Sequence, residues 1–223
     1  MKPDFHRFGL YLVLTDPVAG YERCAAAAVE AGVRLLQLRM KQEPRATVLE
    51  TARRLRRVTA GTSTLLIVND DPDLAAEIGA DGVHLGQDDE PLAAARRRVA
   101  GVRIWGLSTH DEQQAKAARA AAPDYIGVGP VSATPTKANP DPIVGLRRLA
   151  AITALSPLPV VAIGGIDAGN LRDVLATGAG NFAVVRAVCG ATDPLAAIRR
   201  LQAIWQEETS FRSSPSSPSS PSS

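Results

Sequence analysis

The sequence predicts an α/β protein, a single (β/α)8 TIM barrel followed by a disordered C-terminal tail rich in Ser and Pro. Its length of 223 residues suits one domain of the barrel class. Short apolar runs alternate with stretches of helical spacing, which indicates parallel βαβ units. Eight such units in about 200 residues match a closed barrel.

Eight short, mostly apolar runs are the predicted strands. They are LYLVL (10–14), RLLQLR (34–39), TLLIVN (64–69), GVHLG (82–86), VRIWGL (102–107), YIGVG (125–129), PVVAIG (159–164) and FAVVR (182–186). Nearly continuous apolar strands are typical of a parallel sheet that is buried on both faces. An open doubly wound sheet is the structural alternative, but no GxGxxG motif follows the first strand.

Stretches rich in Ala, Leu and Arg between the strands predict eight helices. They cover 20–31, 45–59, 72–79, 91–99, 111–121, 143–154, 168–176 and 194–207. Asp71 and Pro72 suit the N-cap and first turn of the third helix.

The alternating strands and helices predict a catalytic domain over 1–209. Residues 210–223 are mainly Ser and Pro and cannot bury enough apolar surface to fold.

Charge, hydropathy and cysteine content argue against several classes of function. The net charge is only +2, so neither nucleic-acid nor polybasic membrane binding is expected. No apolar run approaches ~18 residues, so no transmembrane helix is predicted, and we expect no secretory signal at the N-terminus. Cys24 and Cys189 lack a zinc-binding spacing and are expected to be structural thiols of a reducing, cytoplasmic compartment.

Polar residues follow the predicted strands, at the catalytic face of such a barrel. Gln37, Arg39 and Lys41 occupy every second position at the end of strand 2, so they point the same way on an extended chain. Two cations and an amide at one place suit a polyanion such as a pyrophosphate. The alternative is an exposed strand end without a function.

Strands 3 and 4 are both followed by carboxylates. Asp70 and Asp89 should face each other across neighbouring strands, and such a pair suits Mg2+, which takes few protein ligands besides substrate phosphate oxygens. Helix capping is the alternative, although Asp71 already serves the third helix. At the fourth helix Asp88, Asp89 and Glu90 compete for the cap, and spacing alone does not choose the ligand.

Two further strand ends suit phosphate groups. The longest loop, from Gly129 to Pro142, carries three candidate donors: Thr134, Thr136 and Lys137. The pair Gly164 and Gly165, with the turn after strand 8, occupies the usual barrel phosphate site, where backbone N–H groups bind the anion. Two anion sites predict two phosphorylated substrates that are joined or exchanged. His84, inside strand 4, is expected to be a hydrogen-bonded barrel residue.

Six segments, in order across residues 9–190, resemble the thiamine-phosphate synthase family. They are QLRMK, NDDPDLAAEIGADGVHLGQDD, GLSTH, DYIGVGPVSATPTK, PVVAIGGI and GAGNFAVVRAV. The resemblance implies a TIM barrel that joins hydroxymethylpyrimidine pyrophosphate to hydroxyethylthiazole phosphate. The products would be thiamine phosphate and pyrophosphate, formed by a dissociative mechanism that requires Mg2+.

The resemblance also implies roles for individual residues. The pyrimidine pyrophosphate would be held by Gln37, Arg39, Lys41, Asn69, Ser108 and Lys137. Among these, the catalytic residues would be Arg39, Lys41, Ser108 and Lys137. The ligands of Mg2+ would be Asp70 and Asp89, so the resemblance selects Asp89 rather than Asp88. The thiazole phosphate would be held by Thr134, Thr136, Gly165, Val185 and Arg186.

The chain departs from the family pattern in three places. Ser132 stands where an aromatic residue is frequent, Arg186 where Ser is frequent, and GAGN where GADG is frequent. The alternatives to this function are a thiazole tautomerase of the same fold and a non-catalytic barrel that binds phosphorylated ligands. The expected partners are small phosphorylated molecules, without nucleic acid or membrane, and a homo-oligomer is left open.

Overall fold

Eight parallel strands close into a barrel in the computed structural model, which describes residues 5–134 and 142–213. The strands are β1 Gly9–Leu14, β2 Leu35–Leu38, β3 Leu65–Asn69, β4 Gly82–Leu85, β5 Ile104–Thr109, β6 Tyr125–Val128, β7 Val160–Ile163 and β8 Asn181–Val184. Each pairs with the next along the chain, and β8 pairs with β1. The predicted barrel is therefore confirmed, and the open sheet is excluded because such a sheet has two free edges.

Helices connect the strands on the outside of the barrel. They are α1 Tyr21–Glu30, α2 Arg45–Thr59, α3 Pro72–Glu77, α4 Leu92–Arg98, α5 Glu112–Ala121, α6 Gly145–Leu155, α7 Leu171–Ala176, α8 Arg186–Cys189 and α9 Pro194–Ser213. The predicted cap of α3 is present, since the Asp71 carboxylate accepts from the Leu74 N–H at 2.8 Å. Within the described ranges, no helix combines the length and the apolar character needed to cross a membrane.

The C-terminal part of the chain differs from the sequence prediction in two places. Strand β8 ends at Val184, and Arg186 begins the short helix α8 rather than ending the strand. Helix α9 extends to Ser213, so residues 210–213 of the predicted tail are helical. The rest of the predicted tail, 214–223, lies outside the described residues.

Two apolar layers form the core. The larger lies between the sheet and the helices, and the smaller fills the barrel interior. Along β1, Leu10, Leu12 and Leu14 belong to the outer layer, whereas Tyr11 and Val13 point inward. Phe5, from the segment before β1, packs in the interior with its ring centroid 5.9 Å from that of Tyr125.

Asn181, the last residue of the GAGN segment, anchors the N-terminal segment to the barrel. Its side chain is fully buried at the start of β8. The amide oxygen accepts from the Phe8 N–H at 2.6 Å and the Gly9 N–H at 3.1 Å. The two hydrogens of the amide nitrogen are shared among three carbonyl oxygens within 3.3 Å, those of Phe5, His6 and Val160. This departure from the family pattern therefore lies at the N-terminal ends of the strands, away from the catalytic face.

We expect Asn181→Ala to lower the free energy of unfolding by about 3 kcal/mol or more, because each buried group that loses its partner costs roughly 1–3 kcal/mol. Gln202→Ala is the matched control, since that amide makes one bond, to the Ala31 carbonyl, and should cost about 1 kcal/mol. Urea unfolding followed by circular dichroism measures both. Equal losses in the two variants would contradict the anchoring role.

Candidate active site

A cavity of about 640 Å3 opens at the C-terminal ends of the strands. Residues from or just after all eight strands line it, including Tyr11 and Val13 of β1. This placement follows from the closed parallel sheet, because all eight strands end on the same rim. Its volume suits small-molecule ligands.

Gln37, Arg39 and Lys41 all line this cavity, as their alternation predicts. Gln37 is buried in β2, while Arg39 and Lys41 follow the strand in the loop to α2. Burial lowers the pKa of the Arg39 guanidinium, and the charges of Asp70 and Asp16 oppose that effect. The Lys41 ammonium lies 2.8 Å from a carboxylate oxygen of Asp70. Two cations therefore stand beside a carboxylate at one side of the cavity.

Asp70 and Asp89 are neighbours across the ends of β3 and β4 and both line the cavity. The Asp89 carboxylate accepts from the Gly86 N–H at 2.6 Å. Burial raises the pKa of Asp89, and the adjacent Asp70 carboxyl adds to the rise, whereas the Gly86 N–H and the Lys41 charge oppose it. Two carboxylates this close repel each other unless a cation neutralises them.

None of the three acidic residues before α4, Asp88, Asp89 and Glu90, caps this helix. The N-cap residue is Pro91, and no side chain caps this helix. Glu90 pairs with Arg98 on the surface, and Asp88 is exposed at the rim of the cavity. Asp89 is thus the carboxylate of this loop that reaches Asp70. The contact supports Asp89 over its neighbours as a ligand, although its role as a ligand stays a prediction.

The donor set at Asp70 and Asp89 fits a hard divalent cation. No group of three or more His, Cys, Asp or Glu side chains within 5–134 and 142–213 could hold a metal ion. A site with two carboxylates matches Mg2+, which keeps several waters and takes phosphate oxygens as further ligands. It does not match zinc, which prefers Cys and His ligands.

The loops after β6, β7 and β8 meet on the other side of the cavity. Thr134, Gly165, Val185 and Arg186 line it there. Gly165 has a φ of 67°, and a Cβ at this position would lie 2.7 Å from the Ala133 carbonyl oxygen. A glycine is therefore required for the β7 loop to approach the β6 loop. The predicted donors Thr136 and Lys137 lie outside the described residues.

The other two departures from the family pattern lie on this side as well. Ser132 donates its backbone N–H to the Gly164 carbonyl at 3.0 Å, and the residue is absent from the cavity lining. Arg186, the first residue of α8, does line the cavity and brings a third cation to it. The first N–H groups of a helix have no partner within the helix, so this turn offers backbone donors as well.

His84 is a hydrogen-bonded barrel residue, as predicted. Its Nδ1 lies 3.1 Å from the Tyr125 hydroxyl and its Nε2 lies 2.9 Å from the Ser108 hydroxyl. Ser108 and Asn69 also line the cavity. His110 also lines the cavity, with Nδ1 2.6 Å from the Gly129 carbonyl oxygen. The next residue, Asp111, caps α5.

Sequence reasoning missed two residues of the cavity floor, Tyr11 and Tyr125. Both are buried inside the barrel, and their hydroxyl oxygens lie 2.9 Å apart. The signal was available, because a hydroxyl on a strand that is buried on both faces needs a polar partner. Both tyrosines occur in predicted strands, at positions that alternate with outward-facing residues.

This chain is similar in sequence to known proteins. The family model described as thiamine monophosphate synthase matches residues 10–188. The thiamine-phosphate synthase of Anaeromyxobacter dehalogenans (strain 2CP-C) is 44% identical over 200 residues, which cover 89% of this chain and 88% of that protein. The enzyme of the same name from Laribacter hongkongensis is 40% identical over 202 residues, covering 88% and 95% of the two chains.

A solved structure shares the fold as well. The thiamine phosphate pyrophosphorylase of Pyrococcus furiosus superposes with a TM-score of 0.82 at 33% identity, covering 91% of this chain and 98% of that one. Sequence and structure thus agree over nearly the whole barrel. The chain belongs to the thiamine monophosphate synthase family.

Proposed function

We propose that this protein is a transferase of thiamine biosynthesis, a thiamine-phosphate synthase. It would join hydroxymethylpyrimidine pyrophosphate to hydroxyethylthiazole phosphate and release pyrophosphate. The observation that carries the proposal is one cavity with two differently built anion-binding sides. The ends of β2 to β4 offer cations and carboxylates, and the ends of β7 and β8, which lie opposite in the strand order, offer backbone N–H groups.

The side built from β2 to β4 suits the pyrophosphate. Arg39 and Lys41 bring positive charge, and Lys41 contacts Asp70 directly. Asp70 and Asp89 would hold Mg2+, which neutralises phosphate charge when it is bound. Gln37, Asn69 and Ser108 line the same cavity and would position the pyrimidine. Lys137, in the segment between β6 and α6, would contribute a further cation.

The side built from β7 and β8 suits the thiazole phosphate. Gly165 exposes backbone toward the cavity, and Val185 and Arg186 lie at the start of α8. Thr134 and Thr136 would add hydroxyl donors from the β6 loop. Phosphate binding by backbone N–H groups after strands 7 and 8 is common in barrels of this class.

The chemistry breaks one bond and forms another without an external base. The C–O bond to pyrophosphate breaks, and its electron pair leaves with the pyrophosphate. The methylene cation is stabilised by the pyrimidine, and the thiazole nitrogen lone pair closes the new C–N bond. Charge builds up on the leaving oxygen, so Arg39, Lys41 and Lys137 stabilise the transition state more than the ground state.

The proposal also includes the cellular compartment of the enzyme and its partners. Cys24 and Cys189 are free, buried thiols, and burial raises the pKa of Cys189 to about 11. Both are therefore unreactive structural residues, which supports a reducing, cytoplasmic compartment. The partners would be the two small phosphorylated substrates, and a homo-oligomer stays open.

A coupled assay of pyrophosphate release tests the function. We expect release only when both phosphorylated substrates are present, with thiamine phosphate formed in equal amount. Conversion of a thiazole substrate without pyrophosphate release would indicate the tautomerase instead. Binding of both substrates without turnover would indicate the non-catalytic barrel.

The metal assignment predicts that Asp70→Asn and Asp89→Asn each lower kcat/KM by about 100-fold or more, in the range of other electrostatic groups of active sites. Asp88→Asn is the matched control, because this carboxylate is exposed in the same loop. Calorimetric titration of Mg2+ in the presence of pyrophosphate should show weakened binding for the first two variants only. Near wild-type turnover of EDTA-stripped protein would refute the assignment.

Lys137→Ala should lower kcat by roughly 10²–10³-fold, with a smaller change in KM for the pyrimidine pyrophosphate, because the leaving group gains charge in the transition state. Lys137→Arg should recover only part of the activity, since a planar guanidinium cannot place its charge at the same point. Lys116→Ala on α5 serves as the control. An unchanged kcat in Lys137→Ala would show that the residue is a solvated loop lysine.

A further inference from the structure

Five polar side chains form one hydrogen-bonded chain across the floor of the cavity. The Gln37 amide nitrogen donates to the Tyr11 hydroxyl at 2.7 Å, and the two tyrosine hydroxyls are 2.9 Å apart. The chain continues from Tyr125 through both ring nitrogens of His84 to Ser108. We call this set, Gln37–Tyr11–Tyr125–His84–Ser108, the hydroxyl relay. It links the end of β2 to β5 through the barrel interior.

The relay has a direction, because each hydroxyl has one proton to donate. The Tyr11 oxygen accepts from Gln37; either tyrosine hydroxyl could donate to the other, and donation by Tyr11 gives its proton an acceptor in the Tyr125 oxygen. The Tyr125 proton is then directed at Nδ1 of His84, which must accept it. An imidazole that accepts at Nδ1 carries its proton on Nε2. This N–H donates to the Ser108 oxygen and leaves the serine proton free.

We propose that the relay holds His84 as the Nε2–H tautomer and thereby presents Ser108 to the substrate as a hydrogen-bond donor. Tyr11, Tyr125 and His84 are then positioning residues that act through Ser108. The role in turnover rests on the proposed function, whereas the tautomer is a property of the free protein. Ser108 would then donate its proton to an acceptor atom of the substrate, such as a ring nitrogen or a phosphate oxygen.

Packing holds the relay in place. Both tyrosines are buried, and burial raises the pKa of each hydroxyl, so they stay protonated. The rings of His84 and Tyr125 stack with centroids 5.5 Å apart. A Cβ at Gly106 would lie 2.4 Å from Nδ1 of His84 and 2.3 Å from Cζ of Tyr125. Glycine at this point of β5 gives both rings the space they occupy.

The tautomer can be measured directly by long-range 1H–15N NMR of the imidazoles at mildly alkaline pH, without substrates. The chain has only three histidines, and His6→Gln and His84→Gln spectra assign the signals. We expect the Nε2–H form for His84. Tyr125→Phe should shift the population toward the Nδ1–H form, because it removes the donor to Nδ1. Tyr21→Phe is the matched control, since that hydroxyl bonds to Asp16 outside the relay.

A double-mutant cycle tests whether Tyr125 acts through Ser108. Tyr125→Phe should lower kcat/KM by about tenfold when Ser108 is present, the scale of one hydrogen bond. In the Ser108→Ala background the same change should have little effect. A merely structural role of Tyr125 would give the same factor in both backgrounds and would overturn the proposal.

The two proposals fail in different ways. A wild-type His84 in the Nδ1–H form would overturn the relay whether or not the protein makes thiamine phosphate. Absence of pyrophosphate release with a His84 in the Nε2–H form would instead refute the proposed function. If Tyr125→Phe does not fold, the wild-type spectrum still decides between the two directions of the relay.

Discussion

Hydrogen bonding between β1 and β8 closes the sheet, and every feature of the cavity depends on that closure. The two strands pair in parallel register from Gly9 with Asn181 to Leu12 with Val184. Closure brings the C-terminal ends of all the strands to one rim. It also leaves an interior so narrow that glycines are required on β4 and β5. A Cβ at Gly82, for example, would lie 2.5 Å from the Ile104 carbonyl oxygen.

The narrow interior explains the polar floor of the cavity. Inward positions of four strands carry Tyr11, Gln37, His84 and Tyr125, and their polar groups meet one another. A buried hydroxyl or amide without a partner would cost several kcal/mol, so the groups must be satisfied together. The same hydrogen bonds fix the directions in which the side chains can donate. Stability and the orientation of the site thus depend on one set of contacts.

The charges of the site are arranged by the strand order. Lys41, Asp70 and Asp89 come from three consecutive strand ends and interact with one another. The glycine-rich turn after β7 and the short helix α8 lie across the barrel and offer mainly backbone donors. The two proposed phosphate sites therefore lie on opposite sides of the cavity.

Local sequence patterns determined the elements and much of the site. Alternation of apolar strands and helices predicted the barrel, and Asp71 with Pro72 predicted the start of α3, because these signals act within a few residues. The spacing of Gln37, Arg39 and Lys41 placed all three on one side. Motif resemblance supplied the family. These inferences need no knowledge of contacts between distant parts of the chain.

Tertiary structure alone decided the remaining features. The carboxylate that meets Asp70 is Asp89, because the loop after β4 turns its Gly86 N–H toward that side chain. Tyr11 and Tyr125 form a pair although 114 positions separate them, and Asn181 binds backbone 172 positions away. Such contacts depend on how eight strands close around a common interior. Sequence spacing describes neighbours along the chain, whereas closure chooses neighbours in space.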